Sequence, residues 1–179
     1  MPRRDIAAKR YAEAVFQIAR DSRTIDRWRA DLQVIAAVLG DPQVFAVLEN
    51  AKIPQQAKLN LIRQGLEGVT QQALNFAFLL VQRRRVALAT EIVVFFNEMA
   101  DDYLGIAHAE VTTAIPVAAQ EQQLIAEQLS RMTGKQVDVQ MRVDPSIIGG
   151  MVARVGDRLI DGSTRSRLQA LRTRLEAAR

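Results

Sequence analysis

A chain of 179 residues has room for one large domain or two small ones, and 49% hydrophobic with 25% charged residues is an ordinary globular composition. Cysteine is absent and His108 is the one histidine, which excludes disulfides, thiolate catalysis, Cys-ligated metals and His-based metal clusters. The net charge of +4 is compatible with a nucleic acid or an acidic surface as partner, but lysine occurs only at Lys9, Lys52, Lys58 and Lys135, and a genomic bias toward arginine explains the rest.

Residues 5–20 are helical, with Ile6, Tyr11, Val15 and Ile18 at near-helical spacing. Thr24 to Leu39 is the cleanest helix: Ile25, Trp28, Leu32, Ile35 and Leu39 recur in steps of three and four, and Gly40 ends it. Asp41-Pro42 starts a short third helix, with Asp41 as cap and Pro42 in the first helical position. Ile53-Pro54 breaks the chain. Leu59, Ile62 and Leu66 mark a fourth helix. Thr70 caps a fifth, Gln71 to Gln82, whose centre (Phe76 to Val81) is apolar all round, so it is either wholly buried or covered by something else. Arg83-Arg84-Arg85 come next, where cations suit a helix C-terminus. A sixth helix runs from Val86 to Leu104, with Leu88, Ile92, Phe95, Met99 and Tyr103 on one face. Asp101 and Asp102 read as solvating its end, and His108 as a surface or hinge residue.

After Gly105 the period changes from 3.6 to 2. Ala109, Val111, Thr113 and Ile115 alternate with polar or small residues in a strand. A helix follows at about 120–133, with Leu124, Ile125, Leu129 and Met132 inward, and then a half-buried strand through Val137, Val139, Met141 and Val143. Asp144-Pro145-Ser146 is a turn. Ile147 to Val155 reads as a strand with Gly149 and Gly150 inside it, which a bulge or a close backbone approach would require. Gly156-Asp157 turns the chain into a second short strand, and Ser163 or Asp161 caps a last helix carrying Leu168, Leu171 and Leu175. The fold class is therefore α+β: an N-terminal six-helix bundle, residues 1–105, followed by a small α/β domain, residues 106–179, with a short sheet and two helices. The glycines do not lead directly into a helix, so they form neither a dinucleotide fingerprint nor a P-loop. No segment approaches the roughly 20 apolar residues of a membrane span, and the N-terminus lacks a secretory signature.

Two blocks of residues carry a resemblance. Arg10-Tyr11-Ala12-Glu13-Ala14-Val15-Phe16 looks like an RYAxAxF opening. Asp144-Pro145-Ser146-Ile147-Ile148-Gly149-Gly150, Gly156-Asp157 and Ile160-Asp161-Gly162-Ser163-Thr164-Arg165-Ser166-Arg167-Leu168 agree in one order with a second motif. In these blocks and in its order of elements, over nearly the whole length, the chain resembles the delta subunit of bacterial ATP synthase, whose mitochondrial relative is the oligomycin-sensitivity-conferring protein. The resemblance implies a non-catalytic stator subunit of the proton-translocating enzyme, one copy per complex, with no cofactor or metal, peripheral at the cytoplasmic face of the plasma membrane. It implies that a groove between the first and fifth helices takes the N-terminal helix of an alpha subunit, and that the C-terminal domain meets the C-terminal ends of the b subunits. By carry-over, Tyr11, Ala14, Val15 and Ile18 line the groove and Asn75, Phe76, Leu79 and Leu80 face them. Gly149, Gly150, Asp161, Gly162 and Ser163 hold the C-terminal motif or face the b subunits, together with Arg165 and Arg167.

Two other readings compete. A nucleic-acid-binding protein would use the basic final helix, yet aromatics are only 5% and no interleaved aromatic and basic strand is present for base stacking. A small α/β enzyme would need a carboxylate paired with a base or nucleophile, and the sequence places none together.

Overall fold

The computed structural model describes residues 5–177, which form eight α-helices and one four-stranded sheet, the α+β organisation expected from the change of period. They divide into two compact units, the first extending to Ala100 and the second beginning at Asp101. Residues 1–4 and 178–179, counted within the two expected domains, lie outside the described residues. The unit boundary precedes Gly105 by about one helical turn. That turn is tied to the second unit's own residues: Asp101 meets His108 Nε2 at 2.9 Å, and Lys135 Nζ donates to Asp102 at 3.0 Å. Asp101 is buried by this contact, contrary to the expectation that it solvates a helix end.

The first unit contains α1 (Ile6–Asp21), α2 (Ile25–Gly40), α3 (Pro42–Glu49), α4 (Gln55–Gly65), α5 (Gln71–Gln82) and most of α6 (Ala89–Leu104). A 3-10 turn, Val86–Leu88, replaces the α-helical start expected for α6. Side-chain oxygens satisfy otherwise unpaired N–H groups at the helix starts. Asp5 accepts from Ala7 at 2.7 Å, Asp41 from Gln43 and Val44, and Thr70 from Ala73. Leu32, Ile35 and Leu39 of α2 meet Ile62, Leu80, Ile92 and Phe96 in the core. Beneath α5 lies a polar anchor that periodicity does not disclose. The buried Asp31 of α2 accepts from the Thr70 N–H at 3.0 Å and from its hydroxyl at 2.6 Å, and pairs with Arg27 at 3.2 Å.

The second unit runs β1 (Ile106–Thr113), α7 (Ala119–Thr133), β2 (Gln136–Val143), β3 (Met151–Val155), β4 (Arg158–Asp161) and α8 (Thr164–Ala177). The strand order is β2-β1-β3-β4. β1 and β2 are parallel and joined through α7, as a parallel pair requires a crossover; the other pairs are antiparallel, with Val111 opposite Ala153 and Ala153 opposite Ile160. Ala109, Val111, Val137, Ala153 and Val155 pack with Leu129 of α7. Leu124 and Met132, expected inward, are exposed, because one narrow stripe of α7 suffices to cover so small a sheet. Ile115 lies past the end of β1 and is also exposed. The strand expected from Ile147 begins only at Met151: Pro145–Ile147 is a 3-10 turn, and the paired glycines precede the strand instead of interrupting it.

Candidate functional site

Helix α1 (Ile6–Asp21) presents two different stripes. Its buried stripe is Ala8, Ala12, Val15 and Ala19, small residues that let the helix approach the core closely. One residue back, and so about 100° around the helix, lies the stripe Ala7, Tyr11, Ala14 and Ile18, which the bundle leaves partly or largely open. Val15 and Phe16 pack on the core, and the outer stripe adds Tyr11, half-buried, and Ile18, more apolar surface than the bundle covers. Ile18 is 49% exposed. The Tyr11 ring meets the Phe76 ring edge-on, centroids 6.3 Å apart, which joins α1 to α5.

On α5 the buried residues are Ala73, Phe76, Ala77, Leu80 and Val81. Leu79 remains 38% exposed, and Asn75 is exposed with its side chain held by the Gln71 amide at 3.0 Å. The all-apolar centre of α5 is thus mostly absorbed by the bundle itself. Of the eight groove residues named from sequence, Tyr11, Ala14, Ile18, Asn75 and Leu79 reach the surface. Val15, Phe76 and Leu80 lie in the core beneath them, where a partner side chain does not reach. A depression of about 350 Å³ lies between Ala7, Arg10, Tyr11, Ala14 and Arg85. Sequence reasoning missed Ala7 and Arg10. The signal for both is their place one helical turn before members of the outer stripe, at positions 11 and 14.

The C-terminal motif is a device for holding α8. Met151 accepts from the Gly162 N–H, and Gly149 accepts from the Thr164 N–H, each at 2.9 Å. The two segments are so close that a Cβ on Gly150 would stand 2.4 Å from the Gly162 carbonyl oxygen. Gly150 also has φ +75°, a conformation that side chains disfavour. The Ser163 hydroxyl, buried, accepts from the Ser166 N–H at 3.2 Å as the helix cap. Ser163 is therefore the cap, and Asp161, the other residue expected for that role, supports it by accepting from the Ser163 N–H at 2.9 Å and from the Ser166 hydroxyl. The Ser166 hydroxyl bond and then the Ser163 N–H hold the Asp161 carboxyl below its ordinary value, and the Ser146 N–H lowers Asp144 likewise. Gly149, Gly150, Asp161, Gly162 and Ser163 thus all take part in the contacts that hold the start of α8. Arg165 and Arg167 are exposed on α8 beside Leu168, Leu171 and Leu175, which are 53–64% exposed. This helix presents an apolar stripe flanked by arginines. Among the described residues no group of His, Asp and Glu could hold a metal ion, and no single helix is long and apolar enough to cross a membrane.

Comparison with known proteins agrees with this architecture. The family model for the ATP synthase delta (OSCP) subunit matches residues 7–175. The ATP synthase subunit delta of Dehalococcoides mccartyi (strain ATCC BAA-2266 / KCTC 15142 / 195) is 34% identical over 172 residues, covering 96% of this chain and 95% of the relative. That of Anaeromyxobacter dehalogenans (strain 2CP-C) is 38% identical over 173 residues, covering 94% and 96%. A chain in the cryo-EM structure of the Toxoplasma gondii mitochondrial ATP synthase hexamer shares the fold, with a TM-score of 0.61 at 22% identity over 96% of this chain and 98% of that one. The chain belongs to the ATP synthase delta (OSCP) subunit family and is a non-catalytic stator component of that complex.

Proposed function

We propose that the chain ties the catalytic head of the ATP synthase to its peripheral stalk through two separate helix-binding surfaces, one on each unit, so that the head resists the torque of the rotor. The carrying observation is the row of apolar side chains that the bundle leaves uncovered, Ile18 of α1 and Leu79 of α5, beside the half-buried Tyr11, while alanines dominate the buried stripe of α1. A partner helix laid between α1 and α5 covers Tyr11, Ala14, Ile18 and Leu79, and the N-terminal helix of an alpha subunit is the occupant we assign. Arg10 and Arg85, which line the depression with Tyr11 and Ala14, suit an acidic residue on that helix. On the second unit, Leu168, Leu171 and Leu175 with their flanking arginines suit the C-terminal end of a b subunit carrying carboxylates. Attachment is peripheral, at the cytoplasmic face, with one copy per complex.

Magnitudes favour two sites over one. Each large apolar side chain buried contributes roughly 1.5–3 kcal/mol, so about four anchors give on the order of 6–12 kcal/mol. Association and ordering cost roughly 4–15 kcal/mol. Either surface alone binds modestly, and simultaneous attachment raises the effective affinity roughly 10²–10⁴-fold.

The groove assignment is tested by calorimetric titration of the full chain with a peptide of the alpha subunit's N-terminal helix. Saturable one-to-one binding is expected, weakened at least roughly tenfold by Tyr11→Ala and by Leu79→Asp in folded proteins. Equal binding by all three proteins would place the helix elsewhere.

A further inference from the structure

Besides the basic final helix, positive charge gathers in one stretch of the first unit. Between Glu49 and Glu91 the chain carries Lys52, Lys58, Arg63, Arg83, Arg84 and Arg85 against one carboxylate, Glu67, an excess of five positive charges where the whole chain has +4. A uniform arginine bias does not produce that segregation. Two of these cations have surroundings of their own: Arg63 lies over the Phe78 ring, 5.8 Å from its centroid, and Arg85 lines the depression beside α1.

Lys58 and Arg84 converge elsewhere, on a pocket of about 380 Å³ within the first unit. Gln55 and Gln82 also line it, and no carboxylate does. Among the described residues neither Lys58 nor Arg84 takes part in an ion pair. Lys58 is half-buried and donates to the Leu48 carbonyl. An ammonium has three donors, so two remain for a ligand. Arg84 stands at φ +52° two residues past the end of α5, at a position that favours glycine, while the chain closes around it through the Arg84 N–H to Val81 and the Arg85 N–H to Leu80. The backbone gains nothing from an arginine there, so what the residue contributes is its side chain, and Arg84 is one of the residues that line the pocket.

We infer that Lys58 and Arg84, with the amides of Gln55 and Gln82, form a binding site for a phosphate group. A guanidinium fork and an ammonium arriving from two elements can engage different oxygens of one tetrahedral anion. This site rests on observations separate from those that carry the stator reading. The phosphate could arrive as the free ion or on an anionic lipid headgroup.

The test uses the full chain. Inorganic phosphate is titrated at constant ionic strength with chloride as the control anion, and vesicles of phosphatidylglycerol are compared with vesicles of phosphatidylcholine. Saturable phosphate binding is expected, weakened roughly tenfold or more in Arg84→Gly by loss of a charge-assisted hydrogen bond, and weakened in Lys58→Met. Arg84→Gly keeps its thermal midpoint at or above that of the wild type, because glycine accepts the left-handed backbone, so lost binding is not lost folding. Binding confined to phosphatidylglycerol vesicles and lost in Arg84→Gly would identify the headgroup as the source. Absence of both responses in the wild type, or unchanged binding in Arg84→Gly, would overturn the site.

Discussion

Replacing Gly150 by alanine tests how α8 is held. The added Cβ would lie 2.4 Å from the Gly162 carbonyl oxygen and 3.3 Å from both the Gly162 carbonyl carbon and the Ser163 Cα. All three are backbone atoms, so no side chain can rotate away. The left-handed conformation costs a non-glycine residue about 1–2 kcal/mol, and displacing packed backbone costs about 1–3 kcal/mol. Together they predict a loss of about 2–5 kcal/mol from the second unit. Gly156→Ala supplies the control, since Gly156 has φ +56° but a Cβ there would meet nothing within 4 Å. It should lose only the conformational part, about 1–2 kcal/mol. Urea unfolding followed by far-UV circular dichroism measures both. Fluorescence of Trp28, the single tryptophan and a core residue of the first unit, monitors that unit in the same samples. Equal losses for the two variants would refute the claim that backbone contact between Gly150 and Gly162 positions α8.

Two further outcomes arise from the polar contacts. Asp31→Ala leaves the Thr70 N–H and hydroxyl without their buried acceptor. It should destabilise the first unit by about 2–4 kcal/mol, read from Trp28 fluorescence on denaturation. Asp161 ionises below the ordinary value of 3.8 because of Ser166 and Ser163. A carboxyl depressed by folding contributes stability that is complete above 3.8 and is lost as the pH falls below it toward the folded value. Thermal melts across that acidic range should show a pH-dependent component that Asp161→Asn abolishes and Ser166→Ala reduces. A wild-type slope retained in Asp161→Asn would contradict the assignment.

The fold is legible where the periodicity is strong. The apolar steps of α2, the Pro42 start of α3 and the Thr70 cap of α5 all appear at their predicted places, because local chemistry specifies them without help from the rest of the chain. Asp31 is not legible: it stands among the apolar positions of α2 as an ordinary polar residue, and only the docking of α5 gives it a purpose. The glycine pair reads as lying inside a strand because Ile147, Ile148, Met151 and Val152 all suit one. Their pattern cannot show that the Gly162 segment passes 2.4 Å from a Gly150 Cβ. In the groove, an apolar residue facing a partner and one facing the core look alike in sequence. Val15 and Ile18 are both apolar members of α1, about 60° apart around the helix, yet one is 2% exposed and the other 49%. Burial by the neighbouring helices separates them.

The central claim is that one chain bridges head and stalk through two independent surfaces. Mass photometry on mixtures of catalytic head, soluble b-subunit stalk and this protein measures it most directly. The wild type should give one species containing all three. Leu79→Asp should bind stalk without head, and Leu171→Asp should bind head without stalk, each with its circular dichroism spectrum unchanged. Bridging by both variants at wild-type levels would contradict the account.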